Sequence, residues 1–216
     1  MAIVDDDFLT RAAVQAILAP RPEIEVIGTA DSGAAAIELV RARRPDVVLM
    51  DIQLPGMDGV ETTRAMLQHA DVHVAAMTSI AATETVLRML EAGAYGYVLK
   101  DTAPDALAEA VLTVARGDAF LSPRHTREIV ERLATDSGAD TRRAAAQRFA
   151  TLTEREREAA RLVATGASDE EIARSMYVAP STVKTYIQQA RVKLGARNRT
   201  QVAVLVERAG ETPRES

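Results

Sequence analysis

Val47-Val48-Leu49-Met50-Asp51-Ile52-Gln53-Leu54-Pro55-Gly56-Met57-Asp58-Gly59 is the stretch from which the fold is read. Four consecutive apolar residues ending in an aspartate describe a strand buried on both faces that delivers a carboxylate at its carboxyl end. Pro55 and Gly59 are turn and helix-entry residues. Working outward, the same unit recurs. Ala2-Ile3-Val4, Ile24-Glu25-Val26-Ile27, Val72-His73-Val74-Ala75-Ala76-Met77 and Tyr97-Val98-Leu99 read as further strands, with helix-like segments near 8–18, 33–43, 59–69, 83–92 and 104–116. Val86, Leu87 and Leu90, then Leu107, Val111, Leu112 and Ala115, recur at helical spacing, and Gly93 and Gly117 stand where helices should stop. Such alternation predicts an α/β domain over residues 1–118, a doubly wound five-stranded parallel sheet.

In that fold ligands gather at the carboxyl ends of the strands. Asp5 and Asp6 follow the first strand, Asp51 the third, Thr78 the fourth and Lys100 the fifth. Clustered carboxylates repel one another unless a positive charge sits among them, and a hard cation such as Mg²⁺ is the natural partner. One carboxylate can attack phosphorus while metal and lysine offset charge on the oxygens and the hydroxyl holds one of them. Taken singly, Thr78 reads as a strand-end hydroxyl and Lys100 as a surface lysine. Their coincidence with three carboxylates on one edge makes the site.

Val4-Asp5-Asp6, the run Asp51 to Gly59, Met77-Thr78-Ser79 and Gly96-Tyr97-Val98-Leu99-Lys100-Asp101 together resemble a response-regulator receiver, a flavodoxin-like domain. The resemblance implies that Asp51 accepts a phosphoryl group from a histidine kinase. It implies that Asp6, Asp51 and the backbone carbonyl of Gln53 ligate Mg²⁺ with Asp5 in support. Lys100 would pair with Asp51 or its phosphate, and Thr78 and Tyr97 would relay the change. Asp7 falls at a variable position and is not expected to bind metal. Gln53 and Ile80 would border the path of the hydrolytic water. Ile80 cannot orient water, so a moderately long-lived phosphorylated state is expected. A rival class, the haloacid-dehalogenase-like phosphatases, also uses an aspartate nucleophile, and Asp5-Asp6-Asp7 offers its D-x-D. Phe8-Leu9 does not supply the small or β-branched residue that motif wants, and the later acidic pair downstream of the lysine is missing. The chain begins four residues before Asp5, so the first strand is expected to be short.

Beyond the sheet the character of the chain changes. Residues 1–140 carry 12 Lys/Arg against 22 Asp/Glu, a net of −10, whereas 141–216 carry 14 against 9, a net of +5. A helix is expected from Ser122 to Ala134, then turn formers and an exposed stretch at 135–148, so that 119–148 reads as helix and linker. A small all-α domain follows at 149–210. Thr153 with Glu156, and Ser168 with Glu171, are capping-box patterns opening two helices. A third helix opens at Pro180 or Ser181 and stops at Gly195, and a fourth runs from about Thr200 to Arg208. A short helix, a tight turn and a longer helix make a helix-turn-helix. From Val178 to Val206 there is no Asp or Glu, and such a single-sign stretch suits phosphate.

Leu152 to Glu158, Ala164-Thr165-Gly166, Glu171-Ile172-Ala173, Thr182 to Tyr186 and Lys193-Leu194-Gly195 resemble the LuxR-type DNA-binding domain, so that the whole chain is similar to a NarL/FixJ-type response regulator. The resemblance implies that the third helix enters the major groove of double-stranded DNA. Lys184, Thr185 and Gln188 are candidates for base edges. Ser181, Thr182, Arg191, Lys193, Arg197 and Arg199 are candidates for phosphate. Val183, Ile187 and Leu194 face the core, the role of Tyr186 is left open, and the acidic second helix should brace rather than touch. A homodimer is expected on phosphorylation, with the last helix and its Val202, Leu205 and Val206 as the contact. The alternative is a phosphorylation-independent DNA-binding regulator with a passive receiver.

The composition removes several classes. There is no cysteine, hence no disulfide framework, thiolate metal site or thiol nucleophile. The N-terminus is acidic where a signal peptide would be basic, and no apolar run approaches the roughly 18 residues of a membrane span. A cytoplasmic regulator off the membrane is expected, not an enzyme beyond Mg²⁺-dependent phosphorylation and dephosphorylation of its own Asp51.

Overall fold

A computed structural model describes residues 1–79, 83–120 and 139–213. The chain divides into two compact units between Phe120 and Leu121. Ile80 and the helix expected from Ser122 to Ala134 lie outside the described residues.

The first unit runs β1 (Ala2–Val4), α1 (Phe8–Leu18), β2 (Gly28–Ala30), α2 (Gly33–Arg43), β3 (Val47–Asp51), α3 (Gly59–Leu67), β4 (His73–Thr78), α4 (Thr83–Ala92), β5 (Gly96–Leu99) and α5 (Pro104–Ala115). The strands form one sheet in the order β2-β1-β3-β4-β5, and every neighbouring pair is parallel. α1 packs with α5, and α3 with both α2 and α4. The sheet is therefore covered on both faces, which is why its strands read as continuous apolar runs. Ile3, Leu49, Met77 and Val98 join Val14, Leu18, Leu107 and Val111 in one core. Strand alternation sends Val4, Met50, Ala76 and Tyr97 to the opposite face.

The local reasons are legible. Asp7 caps α1 by accepting from Leu9 N at 3.0 Å, and Pro104 opens α5 at a position where a missing N–H costs little. Gly59 begins α3 against the end of β3, where an added Cβ would lie 2.2 Å from the Asp51 carbonyl oxygen. Only glycine lets this helix sit so close to the strand that carries Asp51. β1 is three residues long, and Met1 is buried with its amino group donating to the Glu25 carbonyl at 2.6 Å.

One strand is displaced from its expected place. The apolar run 24–27 is not the second strand, which is Gly28–Ala30. Ile24 is buried in the core and Val26 packs against it, and Ile27 N reaches only the Met1 carbonyl, so the run serves as packing. The ladder begins at Gly28, whose missing side chain leaves room for Leu39 of α2.

The second unit contains α6 (Ala139–Ala150), α7 (Glu154–Ala164), α8 (Asp169–Met176), α9 (Pro180–Leu194) and α10 (Arg199–Arg208). Its core gathers Phe149, Leu152, Ala160, Val163, Ile172, Met176, Val183, Ile187, Leu194, Val202 and Val206. Both capping boxes are formed, and Gly195 stops α9 at φ 68°. Two expectations change. The stretch to residue 148, read as linker, includes most of α6, which packs on α9 and α10 through Ala145 and Phe149 one turn apart. That two-residue stripe is too narrow to stand out among arginines. Val202 and Val206 are fully buried within the unit while Leu205 is partly exposed, so of the three residues expected at the dimer contact only Leu205 keeps accessible surface.

Candidate functional site

Asp5 and Asp51 are buried and Asp6 is exposed at the carboxyl edge of the sheet. One carboxylate oxygen from each lies within 4.8 Å of the others. The backbone of Asp5 extends the β1–β2 pairing through Asp5 N to the Ala30 carbonyl at 3.1 Å, and its Oδ1 accepts from Asp7 N at 2.9 Å. Asp51 Oδ1 accepts from Gln53 N at 3.1 Å. Lys100 follows β5, anchored by its N–H to the Thr78 carbonyl at 2.9 Å. Its Nζ sits 2.8 Å from Asp5 Oδ2 and 2.8 Å from Asp51 Oδ2. Thr78 ends β4 and is buried, as is Tyr97 on β5 beside Ala76. Asp7 caps α1.

Three carboxylates face one ammonium, which leaves the pocket net negative. Burial pushes the Asp51 carboxyl above the ordinary aspartate range, although Lys100 and the Gln53 amide pull the other way. Burial also works against the Lys100 ammonium, but its attraction to the Asp5 and Asp51 carboxylates prevails and holds its pKa above that of an ordinary lysine. Asp5 Oδ2 is buried without a well-aligned hydrogen bond despite the ammonium nearby. Three carboxylates that one ammonium cannot balance, with a buried oxygen of Asp5 among them, make a net negative oxygen donor set that fits a hard divalent cation. Arg11 belongs to no motif, yet its guanidinium donates to the Asp5 carbonyl at 2.5 Å and the Asp6 carbonyl at 3.1 Å. It fixes the loop on which two of the acids ride. An arginine one turn into a helix gives no sequence signal for this clamp.

The helical unit presents the second surface. Along α9, Ser181, Lys184, Thr185 and Gln188 are exposed, while Val183, Ile187, Ala190 and Leu194 are buried. Thr182 and Arg191 are partly covered, and Arg191 donates to the Arg197 carbonyl at 3.0 Å. Tyr186 is partly buried against the core. Two expected phosphate cations are engaged inside the unit. Lys193 Nζ lies 2.7 and 2.8 Å from the Glu156 carboxylate, which is buried and also accepts from Thr153 N at 2.7 Å. Arg199 holds Asp169 at 2.5 Å and the Ala167 carbonyl at 2.5 Å. Each cation neutralises an acid at the start of a helix that braces α9. Their sequence signal, a positive charge in an acid-free stretch, is the same as that of a phosphate contact. Of the candidates for DNA contact, Ser181, Lys184, Thr185, Gln188 and Arg197 are exposed, as is Lys193 despite its ion pair.

Comparison with known proteins gives a family for each unit. Residues 1–112 match the model of the response regulator receiver domain, and residues 150–206 that of the bacterial regulatory proteins of the luxR family. The chain is 35% identical over 214 residues to the transcriptional regulatory protein DegU of Brevibacillus brevis, covering 94% of this chain and 91% of that one. It is 33% identical over 207 residues to the transcriptional regulatory protein LiaR of Bacillus subtilis, covering 95% of each. Among solved structures it is similar to the response regulator ChrA of a heme-sensing two-component system, with 29% identity and a TM-score of 0.52 over 97% of this chain and 96% of that one.

Proposed function

The chain belongs to the response regulators that join a receiver domain to a LuxR-type DNA-binding domain and regulate transcription, and from that premise we propose that a phosphoryl group on Asp51 is its switch. The observation that carries the proposal is the position of Lys100 Nζ, 2.8 Å from the carboxylates of both Asp5 and Asp51. An ammonium so placed can follow charge from the carboxylate to an incoming phosphoryl oxygen.

An Asp51 carboxylate oxygen attacks the phosphorus of a phosphohistidine on a sensor kinase. The new P–O bond forms as the P–N bond breaks, and the imidazole nitrogen leaves with the electron pair. Asp6, Asp51 and the Gln53 carbonyl, with Asp5 in support, would hold Mg²⁺, which supplies charge neutralisation at the phosphoryl oxygens. Lys100 transfers its pairing to one phosphoryl oxygen, and the Thr78 hydroxyl donates to another. Thr78 and Tyr97 lie on β4 and β5, so the readjustment is carried to the surface formed with α4 and α5. That surface governs dimerisation and the release of the DNA-binding domain. Two copies of α9 then grip symmetric half-sites of double-stranded DNA. Lys184, Thr185 and Gln188 reach base edges, and Ser181, Thr182, Arg191 and Arg197 reach phosphates. We assign residues 1–118 to the receiver and 149–210 to DNA binding. Among the described residues no helix is long and apolar enough to cross a membrane, and we place the protein in the cytoplasm with its DNA.

The test is phosphoryl labelling of the full chain by acetyl phosphate, read by intact mass with and without Mg²⁺. Labelling that requires Mg²⁺ and disappears in Asp51→Ala is expected. Undiminished labelling of Asp51→Ala would remove Asp51 from the role.

A further inference from the structure

We propose that Tyr177 is a DNA-backbone contact, its hydroxyl donating to a phosphate oxygen beside the groove that α9 enters. The inference rests on the reading of α9 as the groove-facing helix.

Tyr177 is the C-cap of α8 and takes φ 55° and ψ 45°. That is the left-handed region, where a Cβ crowds the backbone and glycine or asparagine is the usual occupant. Elsewhere in the same unit the equivalent turns after α7 and α9 use Gly166 at φ 82° and Gly195 at φ 68°. α8 instead ends on a large aromatic residue. Packing gives no return for this strain, because Tyr177 is 95% exposed. An exposed aromatic alone needs no explanation. An exposed aromatic in a conformation that disfavours it is different, since local strain is retained where a side chain is wanted for its direction.

The direction is toward the entrance of α9. Tyr177 shares a shallow hollow with Arg174, Val178, Ala179 and Pro180, at the turn that leads into the third helix. The start of α9 is bare. Its N-cap is Ala179, which offers no side-chain acceptor, and Pro180 follows. The positive end of the helix dipole is thus unmasked beside the tyrosine. A phenol next to a helix N-terminus and the exposed Arg174 forms a donor set of the kind that positions a phosphate without reading sequence. Glu170 also lines the hollow. It lies four residues before Arg174 on α8, at the spacing of an i,i+4 pair.

The experiment uses the full chain and a fluorescein-labelled duplex of mixed sequence, titrated by anisotropy at several salt concentrations. Tyr177→Phe deletes the hydroxyl and keeps the ring and backbone. It should raise Kd by about three- to tenfold, the fold-change of losing one exposed hydrogen bond to a charged group. The slope of log Kd against log salt should not change, because no cation is removed. Tyr177→Gly should weaken binding at least as much while raising the unfolding temperature by a few degrees, roughly the gain from placing glycine in a left-handed turn. Lys184→Ala is the control and should lower the salt slope by about one. If Lys184→Ala weakens binding and Tyr177→Phe leaves Kd unchanged, the proposal is overturned and the α9 reading stands. If neither variant changes binding, α9 is not the groove-facing helix and both fall.

Discussion

Lys100 holds two buried carboxylates, Asp5 and Asp51, each at 2.8 Å, and the chemistry of the pocket follows from how poorly one cation balances three acids. The Asp51 carboxyl is raised above its ordinary range chiefly by burial. An acid with a raised folded pKa contributes stability that is full below the unfolded value, about 3.9, and is lost as pH rises through the folded value. At neutral pH the ionised Asp51 therefore opposes folding, and Asp51→Asn should melt at a higher temperature than the native chain when Mg²⁺ is chelated. Added Mg²⁺ should stabilise the native chain by mass action and act less on Asp51→Asn, a comparison that a thermal melt with EDTA or excess Mg²⁺ decides. An unchanged melting temperature in all four conditions would count against a metal at this edge. Asp5, Asp6, Asp51, Thr78 and Lys100 were placed on one edge from sequence because each follows an apolar run, and strand ends in a parallel sheet share an edge. The Arg11 clamp on the Asp5 and Asp6 carbonyls was not legible, since a contact from side chain to backbone leaves no pattern in residue spacing. The residue beside the hydrolytic path carries its own expectation. With Ile80 two positions past Thr78, phosphorylated Asp51 should persist for longer than seconds, as measured by loss of label after donor removal.

Among the helices, α9 is braced by cations whose sequence signal is that of a DNA contact. Glu156 is buried yet ionised. Burial works against its carboxylate, but hydrogen bonds from Lys193 and Thr153 prevail and set its pKa below the glutamate range. A depressed acid contributes stability that is present above the unfolded value, about 4.3, and lost as pH falls through the folded value. The helical unit should thus lose stability below pH about 4.3, and Glu156→Gln should flatten that loss in far-UV melts. Lys193→Ala should destabilise the unit by about 1–2 kcal/mol, less than for a fully buried pair because Lys193 is part-exposed. The salt slope of DNA binding should stay as it was. A reduced slope with unchanged stability would return Lys193 to the phosphate-contacting set. The two other departures at this scale share a cause. β2 forms at Gly-Thr-Ala and not at the more apolar 24–27, and α6 forms where only Ala145 and Phe149 supply a buried stripe. In both places tertiary packing overrides local pattern. Elements with strong periodicity or caps, such as α1, α5, α7 and α9, begin within a residue or so of where their caps and prolines put them.

In the whole molecule, on the function proposed above, a single charge change in the first unit governs what the second unit does with DNA. The opposite net charges of the two halves were visible in composition, and so was the architecture of each. The coupling is not, because it depends on how surfaces respond when Asp51 changes state, and two of the three apolar α10 residues expected at a dimer contact, Val202 and Val206, are buried in the unit's own core. The dimer contact is therefore expected on the receiver, on the surface of β4, β5, α4 and α5. Substituting exposed α4 or α5 positions should lower dimerisation without altering phosphoryl labelling. The most direct test is DNA affinity and oligomeric state of the full chain in Mg²⁺, with and without beryllofluoride as the phosphoryl mimic, alongside Asp51→Ala. Beryllofluoride should raise both dimerisation and DNA binding of the native chain and do neither for Asp51→Ala. Equal DNA binding with and without beryllofluoride would contradict it and leave the receiver a passive module.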